Sequence, residues 1–179
     1  MKGIIIIEGS DASGKTTFAQ KLAKEYDGII LHQTYRFKNK IPVFHAAILR
    51  RALKLSKKQL VILDRLHISE YIYGKVFRNE QRWPWMLNQF NRFCQENNIP
   101  IVLCVPNSIE QGKKWFERTR KERFEMFDDM SEIVKEYIAY SKKHQNDKNV
   151  IIYNRDSNDE YHSWYYDYTK AAIERIINE

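Results

Sequence analysis

The stretch "EGSDASGKTT" at positions 8–17 follows directly on "MKGIIII". A run of four isoleucines reads as a strand buried on both faces, and "GKTTFAQKLAKEY" behind it carries the apolar spacing of a helix. Between the two, the chain fits G-x-x-x-x-G-K-[ST], with Gly9, Gly14, Lys15 and Thr16 in place. Phosphate chemistry explains each choice. Glycines let backbone N–H groups curl around an anion, the lysine reaches the outer phosphates, and the threonine hydroxyl can ligate Mg²⁺. The helix that follows points its positive end at the same anion. An ordinary glycine-rich turn is the competing reading, and the strand before and helix after count against it.

At 179 residues, with 43 % hydrophobic and 30 % charged residues, the chain suits one soluble domain, 1–179. It contains no apolar run near the ~18 residues of a membrane span, and its N-terminal isoleucines are too few for a signal peptide. The expectation is a cytoplasmic protein with no membrane partner. Cys94 and Cys104 form no motif and read as reduced, packed thiols. Five histidines, His32, His45, His67, His144 and His162, show no metal-ligand spacing. The net charge of +7 is local: from Gly28 to Leu60 there are eight Lys/Arg and no Asp or Glu, and the rest of the chain is close to neutral. Such a stretch suits phosphate or nucleic acid, or is simply a solvated helix face.

Short strand-like runs at 3–8, 28–31, 59–64, 99–105 and 149–153 alternate with helical periodicity. One helix pattern joins Trp83, Met86, Leu87, Phe90, Phe93 and Cys94 behind Pro84, and a second joins Met130, Ile133, Val134, Tyr137 and Ile138. A last helix at about 158–178 is expected to stack Tyr161, Trp164, Tyr165, Tyr168, Ala172 and Ile176 on one side. These stripes read as core packing before base-stacking platforms. The alternation predicts an α/β protein with a mostly parallel sheet between helices, its ligands at the carboxyl ends of the strands.

"QLVILDRLHISEYIYG" puts Asp64 and Arg65 at the end of a buried strand. After a phosphate loop, a carboxylate there helps hold magnesium and an adjacent arginine can grip a second phosphate. Taken together, "EGSDASGKTT" resembles the thymidylate kinase form E-G-x-D-x-x-G-K-[ST]-T, and "DRLHISEYIY" is similar to that family's D-R-[YH]-x-x-S-x-x-x-Y, with Asp64, Arg65, Ser69 and Tyr73 at matching offsets. "KERFEMFDDM" resembles the family's lid-end D-R-x-E, with Glu122 in place of the aspartate before Arg123. The likeness of pattern runs over most of the chain, and the specific motifs cover some thirty residues.

The resemblance implies a three-layer P-loop NTPase fold: a five-stranded parallel sheet in the order 2-3-1-4-5, flanked by helices, with a short helical lid at about 112–127. It implies MgATP as donor, its phosphates held by Gly9, Ser10, Asp11, Ala12, Ser13, Gly14, Lys15, Thr16 and Thr17, with Thr16 and Asp64 on the metal. The implied acceptor is a deoxynucleoside monophosphate, by default dTMP. Asp11 would face the sugar or the acceptor phosphate, Arg65 would bind that phosphate, and Tyr73 would lie near the sugar C2′. The family carries its catalytic arginine in the phosphate loop or in the lid. Position 12 is alanine here, which leaves Arg118, Arg120 and Arg123 of the lid. After the second strand the family has T-R-E-P-G and this chain has "QTYRFKNK", so Thr34 and Arg36 are the correspondences. "FHAAILRR" offers Phe44 with Arg50 or Arg51 for the base, and Arg155 in "YNRDSND" falls where adenine would stack. The family is commonly dimeric, and Tyr71 and Phe77 on a helix at 66–79 could join such an interface.

Acceptor chemistry divides the readings. A nucleoside or polynucleotide 5′-OH must lose a proton during attack, which favours a positioned carboxylate base such as Glu8 or Asp64. A monophosphate, with a second pKa near ~6, arrives already anionic and needs cations instead. The 28–60 stretch supplies only cations, which favours the monophosphate. A deoxynucleoside or polynucleotide 5′-OH kinase is the alternative, and a nucleic-acid-binding NTP switch without catalysis is a third.

Overall fold

The computed structural model describes residues 1–32, 41–78, 84–120, 130–154 and 162–179. Five strands, β1 (Gly3–Gly9), β2 (Ile29–His32), β3 (Leu60–Asp64), β4 (Ile101–Cys104) and β5 (Val150–Tyr153), form one parallel sheet in the order β2-β3-β1-β4-β5. Helices α1 (Lys15–Glu25), α2 (Ile41–Leu55), α3 (His67–Arg78), α4 (Pro84–Glu96), α5 (Ile109–Arg120), α6 (Ser131–His144) and α7 (His162–Asn178) cover it. Sheet type and strand order are those the sequence resemblance implied. The chain leaves β1 toward β3 and β2 and later returns on the other side to β4, so a crevice opens at the carboxyl end of β1, where the phosphate motif lies.

Strand parity sorts the core into two layers, because successive side chains alternate between faces. Ile5, Ile7, Leu60, Ile62, Val102 and Cys104 pack against Phe18, Ala19 and Leu22 of α1 and Tyr166, Ile173 and Ile176 of α7. Ile4, Ile6, Val61, Leu63, Ile101 and Leu103 face α2, α3 and the helices beyond them, meeting Leu49, Ile68, Ile72, Cys94, Phe116 and Tyr137. Being lined on both sides, β1 needs isoleucine at every one of these four positions. Both cysteines are free and buried in these layers.

The buried stripe of α7 keeps part of the expected one, with Ile176 buried and Tyr165 and Ala172 packed partly against the core, and departs from it at Tyr168. Tyr166, Thr169, Ile173 and Ile176 face the core, and Tyr168 is 61 % exposed. Tyr161 lies outside the described residues. Tyr166 wins its place because its ring packs on Phe18, lies under Lys21 Nζ and sends its hydroxyl to Glu25 Oε2 at 2.7 Å, joining α7 to α1. Among the described residues, no helix is long and apolar enough to cross a membrane.

Candidate active site at the carboxyl edge of the sheet

The turn from β1 into α1 is built to wrap an anion. Gly9 takes φ 152° and Gly14 φ 85°, and between them Ala12 is left-handed at φ 62°. At Gly9 a Cβ would lie 2.3 Å from the Cys104 carbonyl oxygen, so no other residue fits. Gly14 caps α1 in the left-handed region, which glycine adopts without strain. The first N–H groups of α1 therefore open onto the loop formed by Ser10, Asp11, Ala12 and Ser13. Lys15 is buried, and its ammonium donates to the Ser10 carbonyl. Burial, with Arg65 nearby, pushes its pKa down to about 8 against the pull of Asp11 and Asp64. Thr16 and Thr17 are exposed on the first turn.

Asp64 and Glu8 both sit at this edge. Asp64 has the parity of Leu60 and Ile62, so it projects to the α1 side, where Lys15 senses its charge. Its Oδ2 meets His32 Nδ1 at 3.0 Å, while Oδ1 is buried and has no hydrogen-bond partner among the described residues. Glu8 has the parity of Ile4 and Ile6 and projects to the opposite side. There it caps α3: its carboxylate accepts from Leu66 N at 2.8 Å, from Ile68 N and Ser69 N at 3.1 Å each, and from the Ser69 hydroxyl. The Tyr137 hydroxyl lies 2.7 Å from Ser69 Oγ and ties α6 into the cap. Burial pushes the Glu8 pKa up, against the pull of Ser69 and the Leu66 amide.

Arg65 takes a left-handed φ of 68° as β3 ends, held by its N–H on the Ile7 carbonyl at 2.9 Å. A non-glycine residue in that region is strained, and such strain collects at functional sites. The turn aims the guanidinium at the phosphate loop. Nη2 donates to Asp11 Oδ1, Nη1 reaches Ser69 Oγ at 3.4 Å, and the group lies 5.0 Å from the Tyr73 ring centroid. Tyr73 donates to Asp11 Oδ2 at 2.9 Å, which closes an Asp11, Arg65, Tyr73 triangle. Burial opposes ionisation of Asp11, but the Arg65 and Lys15 charges outweigh it and hold the carboxyl below its usual range.

Asp11, Lys15, Asp64, Arg65, Ser69 and Tyr73 are thus brought to one edge. Phe44, in the first turn of α2, begins at that edge too, since α2 runs from the carboxyl end of β2 back to the amino end of β3. The basic stretch does not gather there as a unit. Arg50 and Arg51 are exposed, and Arg50 is about 13 Å along the helix from Ile41 at 1.5 Å per residue. Lys54, Lys57 and Lys58 lie at the far edge, next to the start of β3. Arg36, Arg123 and Arg155 fall outside the described residues. The described part of the segment expected as a lid, about 112–127, belongs to a helix that begins at Ile109, ends at Arg120 and is docked through Gly112 and buried Phe116. A Cβ at 112 would come within 2.7 Å of Val134 Cγ1 of α6. Arg118 is exposed on that helix, and Arg120 is its last residue.

The residues fit a magnesium-bound triphosphate. Ser13 Oγ and Asp64 Oδ1 are buried polar atoms without partners among the described residues, one in the loop and one facing α1, and buried polar atoms ordinarily find partners. Among the described residues no three His, Cys, Asp or Glu side chains form a metal cage. Mg²⁺ does not ask for one: it is held by one or two protein oxygens together with phosphates and water. His32 was not singled out from the sequence, because the strand was read as ending one residue earlier, at 31.

A five-stranded parallel sheet in this order, with a glycine-rich loop on its central strand and an Asp-Arg pair at the end of the next, is a fold shared with solved phosphate-loop kinase structures. The chain is similar to the YorR protein from Bacillus subtilis, solved in complex with phosphorylated GDP, at TM-score 0.67 and 19 % identity over 94 % of this chain and 95 % of that one. It is similar to thymidylate kinase from Candida albicans, at TM-score 0.59 and 14 % identity over 96 % and 94 %. It is similar also to deoxyadenosine kinase from M. mycoides with dCMP and dCDP bound, at TM-score 0.56 and 15 % identity over 98 % and 97 %. At these identities the likeness is one of fold. No family model and no curated protein matches the chain in sequence.

Proposed function

We propose that the chain is an ATP-dependent deoxynucleoside monophosphate kinase, taking dTMP by default and passing it the γ-phosphate to give the diphosphate. The observation that carries this reading is the state of the carboxylates around the phosphate loop. Glu8 has its oxygens filled by donors from α3, Asp11 is held by Arg65 and Tyr73, and Asp64 is held by His32 with its other oxygen buried. Glu8 and Asp11 are thus engaged by donors, and the remaining Asp64 oxygen, on the α1 side, is the one this account gives to the cation, which leaves no carboxylate to serve as base for a hydroxyl. A cation, Arg65, stands beside them with only 15 % of its side chain exposed. An acceptor that is already ionised suits this arrangement.

In this account the backbone N–H groups of residues 10–16 and the Lys15 ammonium hold the β- and γ-phosphates. Arg65 binds the acceptor phosphate, with Asp11 and Tyr73 fixing the guanidinium and meeting the sugar. Phe44 and Arg36 contribute to the acceptor side, and Arg50 and Arg51, exposed further along α2, are left out of it. Thr16 and Asp64 would hold Mg²⁺, which supplies charge neutralisation between the phosphates when bound. The segment at about 112–127 acts as a lid, and Arg118, Arg120 or Arg123 brings charge onto the transferring group. Arg155 stacks on adenine. On this reading the enzyme is cytoplasmic, works on small-molecule nucleotides and forms a homodimer through the α3 face bearing Tyr71 and Phe77.

A deoxynucleoside 5′-OH kinase is the second reading, favoured by the likeness to the M. mycoides deoxyadenosine kinase. Arg65→Lys separates the two. If Arg65 grips a phosphate, losing the forked guanidinium raises the monophosphate KM about tenfold or more and leaves ATP affinity unchanged. An unchanged KM contradicts the assignment.

A further inference from the structure

His32 is the last residue of the edge strand β2 and the register partner of Asp64 on β3. Register partners in a parallel pair project to the same face, so both side chains stand on the α1 side of the sheet. The His32 side chain is 56 % exposed and that of Asp64 13 %. A mostly exposed ring adds little to the core, so packing does not explain the pair. The carboxylate can only accept, so the proton of the 3.0 Å contact is on His32 Nδ1. One carboxylate oxygen is thereby engaged at the edge of the sheet, and the other, Oδ1, is left buried without a partner among the described residues.

We propose that His32 is a positioning residue. It fixes the rotation of the Asp64 carboxylate so that Oδ1 is kept for the divalent cation that accompanies the triphosphate. The inference rests on the reading of Asp64 as a cation-side ligand. Hydrogen-bond partners of metal-ligating carboxylates orient them, and removing such a partner typically costs about 10- to 100-fold in metal affinity.

The test is a Mn²⁺ titration of the full-length protein saturated with a non-hydrolysable ATP analogue, followed by electron paramagnetic resonance. His32→Ala should raise the Mn²⁺ Kd about tenfold or more, the lower end of that range. His32→Asn, whose amide nitrogen stands where Nδ1 does, should stay within about twofold of the unaltered protein, because it keeps the donor. Metal-free binding of the analogue should be the same in all variants. If His32→Ala binds Mn²⁺ normally while Asp64→Asn does not, the inference fails and Asp64 keeps its place. If Asp64→Asn also binds normally, both fail. Equal losses in His32→Ala and His32→Asn, or weakened metal-free binding in His32→Ala, overturn the positioning role as well.

Discussion

Glu8, next to last in β1, and Asp64, the last residue of the neighbouring parallel strand β3, stand one residue apart in register, and their carboxylates project to opposite faces of the sheet. That single offset decides what each can do. Glu8 meets the N-terminus of α3, whose unpaired N–H groups and positive dipole end it satisfies. Asp64 meets the side where the phosphate loop turns into α1.

Glu8 is therefore expected to act on stability. In Glu8→Gln an amide N–H₂ faces donors that a carboxylate accepted, and buried N–H groups of α3 lose their partner. The cost should be about 2 kcal/mol, which lowers Tm by roughly 4–8 °C in a domain of this size. Thermal unfolding measures it, and turnover of the folded fraction should stay within a few-fold. A normal Tm with turnover lost would make Glu8 the proton acceptor and favour a hydroxyl substrate.

Lys15 should make nucleotide binding pH-dependent. In the free protein, burial and then Arg65 lower its pKa to about 8. A bound triphosphate replaces the lost solvation and pulls the pKa up again, so binding takes up a proton. At pH 8 the uptake should be about half a proton, approaching one by pH 9, and affinity should fall as pH rises through this range. Calorimetry in buffers of different ionisation enthalpy reads the uptake directly. The same shift adds a stability term: between pH 8 and 10.5 the unfolded chain binds more protons than the folded one, so this group makes stability rise with pH. Lys15→Ala should abolish transfer, keep the fold and remove the proton uptake.

Alanine at Arg118, Arg120 and Arg123 in turn should leave ATP binding nearly intact and slow turnover by about 10³-fold or more at one position, the scale of an arginine supplied to a transferring phosphoryl group. Single-turnover kinetics on each variant checks it. Three mild effects would send the catalytic charge elsewhere.

Much of the fold was legible because the signals were local. Four consecutive β-branched isoleucines set between Gly3 and Gly9 favour a strand covered on both faces, and a loop with Gly9 against the Cys104 carbonyl and Gly14 left-handed tolerates few alternatives. The Asp11, Arg65, Tyr73 triangle was legible through motif spacing, though its hydrogen bonds were not. What escaped depended on tertiary placement. On α7, aromatic residues occur on several sides, and only packing on Phe18 and Glu25 selects Tyr166 over Tyr168. In α2 the cations are close in sequence, but a 15-residue helix crosses the sheet from one edge to the other, so Lys54 ends far from Phe44. His32 escaped because its meaning lies in its register partner on another strand.

The measurement that tests the account most directly is an ATP-consumption screen with dTMP, dUMP, dGMP, dCMP, dAMP, thymidine and a 5′-OH oligonucleotide as acceptors. The account predicts ADP release that depends on a deoxynucleoside monophosphate, dTMP foremost, with thymidine and the oligonucleotide slower by about 10²-fold or more, as expected where no base is in place for a hydroxyl. Turnover of thymidine or the oligonucleotide without turnover of any monophosphate would contradict it, and so would ATP loss that needs no acceptor.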